Sequence, residues 1–249
     1  MISLKTPDEI DTMARAGAIL AALYRALPPK VDEGVSTADL DRFAETFIRD
    51  HAGAEPAFKG LYGFPATLCT SINHEVVHGI PSPRRRLVNG DVVSIDCGVK
   101  LEGFFADAAV TLPVGQIAPE VEKLLEVTRH ALELGIEATR AGNRLGDIGA
   151  AIQAPADEAG FGIVRDLVGH GIGREPHELP QVANYGKRGK GMPLEVGLVL
   201  AIEPMFNLGT ANIRTLPDRW TVVTGDRAMS AHFEHTVAVT PGGPRVLTL

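Results

Sequence analysis

Apolar positions near the start of the chain fall on one stripe at helical spacing: Ile10, Met13, Gly17, Leu20, Tyr24 and Leu27. Thr6 stands where an N-cap belongs, Pro7 takes the first helical position, and Glu9 completes a capping box. Pro28-Pro29 ends the pattern. A second helix is expected from near Ser36, with Asp39 three residues on, to near Gly53. Val121, Leu124, Leu125, Leu132 and Ile136 mark a third that opens at Pro119. A fourth runs from about Leu145 to Gly160, with Pro155 a candidate interruption.

Two short strands between the helices echo each other. Val92-Val93-Ser94-Ile95-Asp96 follows Gly90, Val199-Leu200-Ala201-Ile202-Glu203 follows Gly197, and the glycines and the acids are both 107 residues apart. A carboxylate closing an apolar strand is costly to bury without a compensating cation. The helices carry the same period. Gly34 precedes Asp39-Leu40 as Gly142 precedes Asp147-Ile148, 108 residues on, and Ala52-Gly53 matches Ala159-Gly160 at 107. This predicts a single catalytic domain over residues 1–249, built of pseudo-repeats at about 1–115 and 116–249. The fold class is α/β (α+β): a pseudo-two-fold internal duplication in which an antiparallel or mixed sheet is covered by helices. The two acid-bearing strands should face each other across the pseudo-axis.

The length allows one large or two small domains. A net charge of −7 argues against a broad nucleic-acid or membrane surface, and the basic run Arg84-Arg85-Arg86 reads as a solvated loop. Cys69 and Cys97 lack the dense, even spacing of a disulfide framework. The start of the chain has no signal-peptide pattern, and no apolar run approaches the ~18–20 residues that span a bilayer. The expectation is a reduced, cytoplasmic protein that binds neither DNA nor membrane.

Candidate chemistry gathers around the acids. A hairpin centred between Leu101 and Glu102 puts Asp96 opposite Asp107, whereas a turn at Glu102-Gly103 makes them diagonal neighbours on one face. Carboxylates that close repel unless a cation intervenes; otherwise Asp107 points to solvent near the turn. Glu234 falls in the run Ala231–Val239, where period two places it with His232 and Thr236. Phe233, His235, Val237 and Val239 take the other face. His232 and His235 are each candidate ligands, with a hydrogen-bonded structural histidine the preferred reading for both, and His51 and His130, in amphipathic helices, read as structural. In Gly169-His170-Gly171-Ile172-Gly173 the glycines put His170 on an extended or bulged segment, with His177 seven residues on.

Asp96, Asp107, Glu203, Glu234 and His170 together offer four carboxylates and one imidazole, a charge that two divalent cations neutralise. Such donors suit Mn, Fe(II) or Co better than a thiolate-type zinc site, with zinc still open. Two ions ~3.5–4 Å apart lower the pKa of a shared water and polarise a carbonyl or phosphoryl oxygen. Spacing alone predicts a two-metal hydrolase, of peptides or of phosphoesters.

Further segments extend this into a resemblance along essentially the whole chain. They are Thr6-Pro7-Asp8-Glu9-Ile10, Gly34-Val35-Ser36-Thr37, Cys69-Thr70-Ser71-Ile72-Asn73, Val77-His78-Gly79-Ile80-Pro81 and Asn89-Gly90-Asp91 leading into the first acid-ended strand. Gly169-His170-Gly171-Ile172-Gly173-Arg174, Ile202-Glu203-Pro204-Met205, Trp220-Thr221-Val222 and Glu234-His235-Thr236 continue it. On these residues the chain resembles the type I methionine aminopeptidases. The resemblance implies the pita-bread fold and removal of the N-terminal methionine from nascent polypeptides, with a small second residue preferred. It implies that Asp107 and Glu234 bridge two divalent ions (Co, Mn, Fe(II), Zn or Ni), that Asp96 completes one, and that His170 with Glu203 completes the other. Hydroxide generated there attacks the first peptide carbonyl, with Glu203 as proton shuttle. His177 hydrogen-bonds the substrate amide or the developing oxyanion, and His78 contacts substrate across the cleft. A cytoplasmic monomer with transient ribosome association is also implied.

The methionine pocket of that resemblance departs at three positions. Leu61 stands where a Tyr is usual, Tyr62 where a His is usual, and Pro176 where a Phe or similar residue precedes the histidine. Phe64, Cys69, His78 and Trp220 match, Cys69 as a small soft contact and not a nucleophile, and Leu61 keeps an apolar wall for a thioether. Proline-directed enzymes of the same fold usually carry a substantial N-terminal domain, for which a first helix starting near residue 6 leaves no room. The insertion of type II enzymes is absent, since His177 and Glu203 are 26 residues apart. A catalytically silent, partner-binding relative would lack ligands, and all five are present.

Overall fold

The structure, a computed structural model, describes residues 2–249. Its first half runs α1 (Pro7–Ala26), α2 (Thr37–Arg49), β1 (Ala54–Pro56), β2 (Leu68–Ile72), β3 (Glu75–Val77), β4 (Val92–Leu101) and β5 (Phe104–Pro113). Two helices follow, α3 (Pro119–Ala138) and α4 (Leu145–Ala159), then short strands β6 (Gly162–Ile163), β7 (Gly169–Gly171), β8 (Glu178–Val182), β9 (Val199–Ile202) and β10 (Met205–Asn207). The chain ends with β11 (Ile213–Thr215), β12 (Val222–Thr224), β13 (Ser230–His232), β14 (Glu234–Thr240) and β15 (Gly243–Val246).

The helix starts follow their caps. Thr6 Oγ1 accepts the Glu9 N–H and the Glu9 carboxylate accepts the Thr6 N–H at 2.9 Å, and Ser36 with Asp39 repeats the box at α2. The helix ends are less regular. Helix α2 stops at Arg49, not near Gly53, because Gly53 belongs to the turn into β1, where it takes φ 79°. His51 therefore lies past the helix, its Nδ1 bonded to the Phe47 carbonyl at 2.8 Å. Pro155 does not interrupt α4. Its ring nitrogen leaves the Ala151 carbonyl without that intrahelical donor, and the helix continues to Ala159.

Nine strands make one antiparallel sheet, ordered β1-β4-β5-β14-β9-β7-β8, with β2 added on β4 and β15 on β14. Alternation sorts its faces. Val93, Ile95 and Val99 of β4 pack with Leu20, Leu23, Leu40 and Ile48 of α1 and α2. Leu200, Ile202, Val237 and Val239 pack with Leu124, Leu132, Ile148 and Ile152 of α3 and α4. Asp96, Glu234 and Thr236 alternate with those apolar residues and face away from the helices.

The expected single strand Ala231–Val239 is divided. Strand β13 pairs with β10 in a separate three-stranded sheet, while β14 joins the large sheet, and Phe233 lies at the break. Thr111 Oγ1 accepts the His232 N–H at 2.9 Å and donates to the His232 carbonyl at 2.8 Å, tying β13 to β5. Arg85 of the basic run is not fully solvated either; it is ion-paired with Glu75 at 2.6 Å. No helix among the described residues is long and apolar enough to cross a membrane.

Candidate active site

Register brings the acids together. Glu102 and Gly103 take φ of 50° and 80°, the two-residue turn whose twist matches antiparallel strands. Leu101 is thereby paired with Phe104, and the ladder continues to Gly98 opposite Asp107 and Asp96 opposite Ala109. The two acids are diagonal neighbours, as a Glu102-Gly103 turn requires, and not directly opposed. Ala109 is also the partner of Glu234 in β14, so one small side chain separates Asp96 from Glu234 on a shared face. Asp107 is 5% exposed and does not point to solvent. Its N–H donates to Thr236 Oγ1 at 2.9 Å, and that hydroxyl donates back to its carbonyl at 2.8 Å.

His170 arrives from β7, at a register shift against β8. Flanking glycines are required there, since a Cβ on Gly169 or Gly171 would collide with the carbonyl oxygen of Ala201 or Leu179. The His170 Nδ1 lies 2.9 Å from the Gly171 carbonyl, which leaves Nε2 free to face Glu203 Oε1 at 3.5 Å. Glu203 follows β9 directly. Asp107, His170 and Glu234 each offer one donor atom, all within 4.8 Å of one another. The Asp96 carboxyl abuts that of Asp107, and Glu203 joins through His170.

Burial, reinforced by neighbouring carboxylates, pushes Asp96, Glu203 and Glu234 well above the usual carboxylate range. Burial raises Asp107 to about 7 and, with nearby His177, lowers His170 to about 4. Asp96 Oδ1, Asp107 Oδ1 and Glu234 Oε1 are buried with no hydrogen-bond partner in the protein. Acceptor oxygens crowded and unpaired beside a neutral imidazole are a poor arrangement by themselves and a good one for divalent cations. The residues present therefore fit a metal centre.

The acids line a cavity of about 300 Å³. Every residue expected at the site lines it: Asp96, Asp107, His170, Glu203, Glu234, His78, His177, Leu61, Phe64, Cys69 and Trp220. Trp220 meets the Phe64 ring edge-on at 5.1 Å, beside His78 at 6.5 Å. His78 itself is held at φ 59°, a conformation a non-glycine residue keeps only under constraint from its surroundings. The His170 and His177 rings are 4.5 Å apart. Burial pushes the Cys69 thiol up, away from the thiolate that a nucleophile needs.

Of the three departures, Leu61 lines the cavity, Tyr62 stacks on His177 at its rim with 75% exposure, and Pro176 lies outside the lining. Sequence reading missed Phe58, Leu167, Val168 and Met205, which complete the apolar wall. It also misjudged His232. His235 is hydrogen-bonded, its Nδ1 2.8 Å from Thr248 Oγ1, but His232 lines the cavity with neither nitrogen partnered. Period two had already put His232 on the Glu234 face, which was the available signal.

The family model of metallopeptidase family M24 matches residues 11–241. A methionine aminopeptidase of Clostridium perfringens is 53% identical over 249 residues, spanning 100% of this chain and 99% of its own. Methionine aminopeptidase 1 of Bacillus subtilis is 48% identical, with 100% and 99% covered. The crystal structure of methionine aminopeptidase from Rickettsia prowazekii superposes with a TM-score of 0.97 at 41% identity, covering 100% of both chains. The curled antiparallel sheet backed by two helix pairs is the pita-bread fold of those structures.

Proposed function

The chain belongs to metallopeptidase family M24, and we propose that it hydrolyses the first peptide bond of nascent polypeptides, releasing N-terminal methionine when the second residue is small. It is a metal-dependent aminopeptidase. The observation that carries the reading is the buried group of four acids and His170, lining a cavity together with Phe64, Cys69 and Trp220. Asp96, Asp107, His170, Glu203 and Glu234 would hold the divalent metal. Bound there, divalent ions supply a water of lowered pKa and polarise the scissile carbonyl.

The chain's own groups do the rest. The Glu203 carboxylate takes a proton from the attacking water and returns it to the departing amine. His177, at the cavity mouth, donates to the carbonyl oxygen as negative charge develops on it. His78, on the opposite wall, orients the substrate amide. The apolar cavity accepts an unbranched thioether and, with Leu61 in its wall, excludes water from it. We read the two helix pairs with their acid-bearing strands as the halves of an internal duplication in a single domain, and the protein as a cytoplasmic monomer that meets nascent chains at the ribosome.

Release of the N-terminal residue from Met-Ala-Ser and Ala-Pro peptides tests this. Protein stripped with chelator and re-supplied with Mn, Fe(II), Co, Ni or Zn should regain cleavage of the methionine peptide alone. Restored cleavage of Ala-Pro alone would move the chain to proline-directed chemistry.

A further inference from the structure

Among the described residues His232 alone has both polar side-chain atoms buried and unpartnered. The residue is 2% exposed and its backbone is pinned on both sides by Thr111, so it has little freedom to seek a partner elsewhere. An imidazole buried without hydrogen bonds is destabilising. Its ring lines the catalytic cavity, with Nε2 3.9 Å from Glu203 Oε2. The other oxygen of the same carboxylate, Oε1, faces His170 Nε2 at 3.5 Å. Asn184 secures the Glu203 backbone by donating to its carbonyl at 3.0 Å, so the chain is anchored while the carboxylate is not.

We propose that His232 is a positioning residue for Glu203: Nε2–H donates to Oε2 and turns Oε1 toward His170. The observed gap is about 1 Å longer than a hydrogen bond, which a small rotation of the Glu203 side chain closes. Carboxylates that ligate metals are themselves held by outer hydrogen bonds, and losing such a partner costs roughly 10–100-fold in metal affinity or activity. The inference rests on the proposed role of Glu203 as ligand and proton carrier. It adds the group that fixes which oxygen serves.

The test is calorimetric titration of the metal-free full chain with Mn(II), for wild type, His232→Gln and His232→Leu, with kcat and KM on Met-Ala-Ser. The leucine variant should bind Mn(II) roughly 10–100-fold more weakly and lose kcat more than KM. Glutamine, whose amide N–H can also reach Glu203, should restore most of both. Thermal unfolding of the metal-free leucine variant should be no lower than wild type, because at 3.9 Å Nε2 makes no hydrogen bond until Glu203 rotates onto metal and Nδ1 has no partner at all; a merely structural histidine would show the reverse. Unchanged Mn(II) affinity in the leucine variant overturns the proposal. Equal loss in both variants overturns it too, in favour of direct ligation by the imidazole. A wild-type protein that binds no Mn(II) removes the reading of Glu203 itself, and the inference with it.

Discussion

Burial and the neighbouring negative charge of Asp107 raise the affinity of Glu203 for a proton, and the His170 imidazole lies 3.5 Å from its Oε1. A carboxyl group so placed can take up a proton and give it back. Glu203→Gln keeps the shape and removes that capacity. Its kcat should fall by about 10²–10⁴-fold with a smaller change in KM, measured by steady-state release of methionine; near-normal kcat would contradict the assignment. Glu203 and Asp96 were legible because an acid closing a Val/Ile-rich strand is an anomaly in itself. Asp107 was legible only to within two registers, since nothing in the residue type announces that Glu102 takes positive φ. Phe58, Leu167, Val168 and Met205 come from separate loops and strands and share no period. Alternation put His232 on the Glu234 face, but nothing in the pattern shows that both its nitrogens lack partners.

At the scale of elements, capping residues and apolar stripes located the starts of all four helices, and local chemistry was enough because these are local structures. Ends were harder, as α2 shows, where the expected terminator Gly53 serves the following turn. A short strand such as β6 exists through pairing with a distant partner and has no signature of its own, whereas the glycines around His170 marked the extended, bulged segment that is β7. Gly17 illustrates how packing overrides local preference. Alanine is the better helix former by about 1 kcal/mol, but a Cβ at position 17 of α1 would collide with the Leu247 carbonyl. That segment has little room to yield, because the Leu247 N–H donates to the Thr236 carbonyl at 2.8 Å. Gly17→Ala should therefore destabilise the protein by roughly 1–3 kcal/mol in urea denaturation, and a stabilised variant would refute this account of α1.

In the whole molecule, one curved sheet places β4 and β9 on either side of the central β5–β14 pair, so four acids from both halves of the chain converge. Without cations that convergence is unfavourable, and the sign of its pH dependence follows. Asp107, at about 7 in the fold against 3.8 unfolded, contributes stability that is full below 3.8 and is lost as pH rises through about 7. Asp96, Glu203 and Glu234 are raised as well and act in the same sense. His170, His232 and His235, lowered to about 4, 3 and 4, act oppositely: their contribution is present above 6.5 and lost in acid. Above about pH 6.5 the histidine contributions are complete while Asp107 is still losing its proton through about 7, so the metal-free protein should lose stability toward alkaline pH.

The decisive measurement is thermal unfolding of chelator-treated protein at pH 7 and 8.5, each with and without Mn(II). The melting temperature should fall between the two pH values without metal. One fixed Mn(II) concentration, about 100 times the Kd at pH 7, should raise it by on the order of 5–10 °C at pH 7, and by more at pH 8.5, where the acids carry fewer protons for the metal to displace. A melting temperature indifferent to both pH and Mn(II) would contradict a centre built from these acids to hold metal.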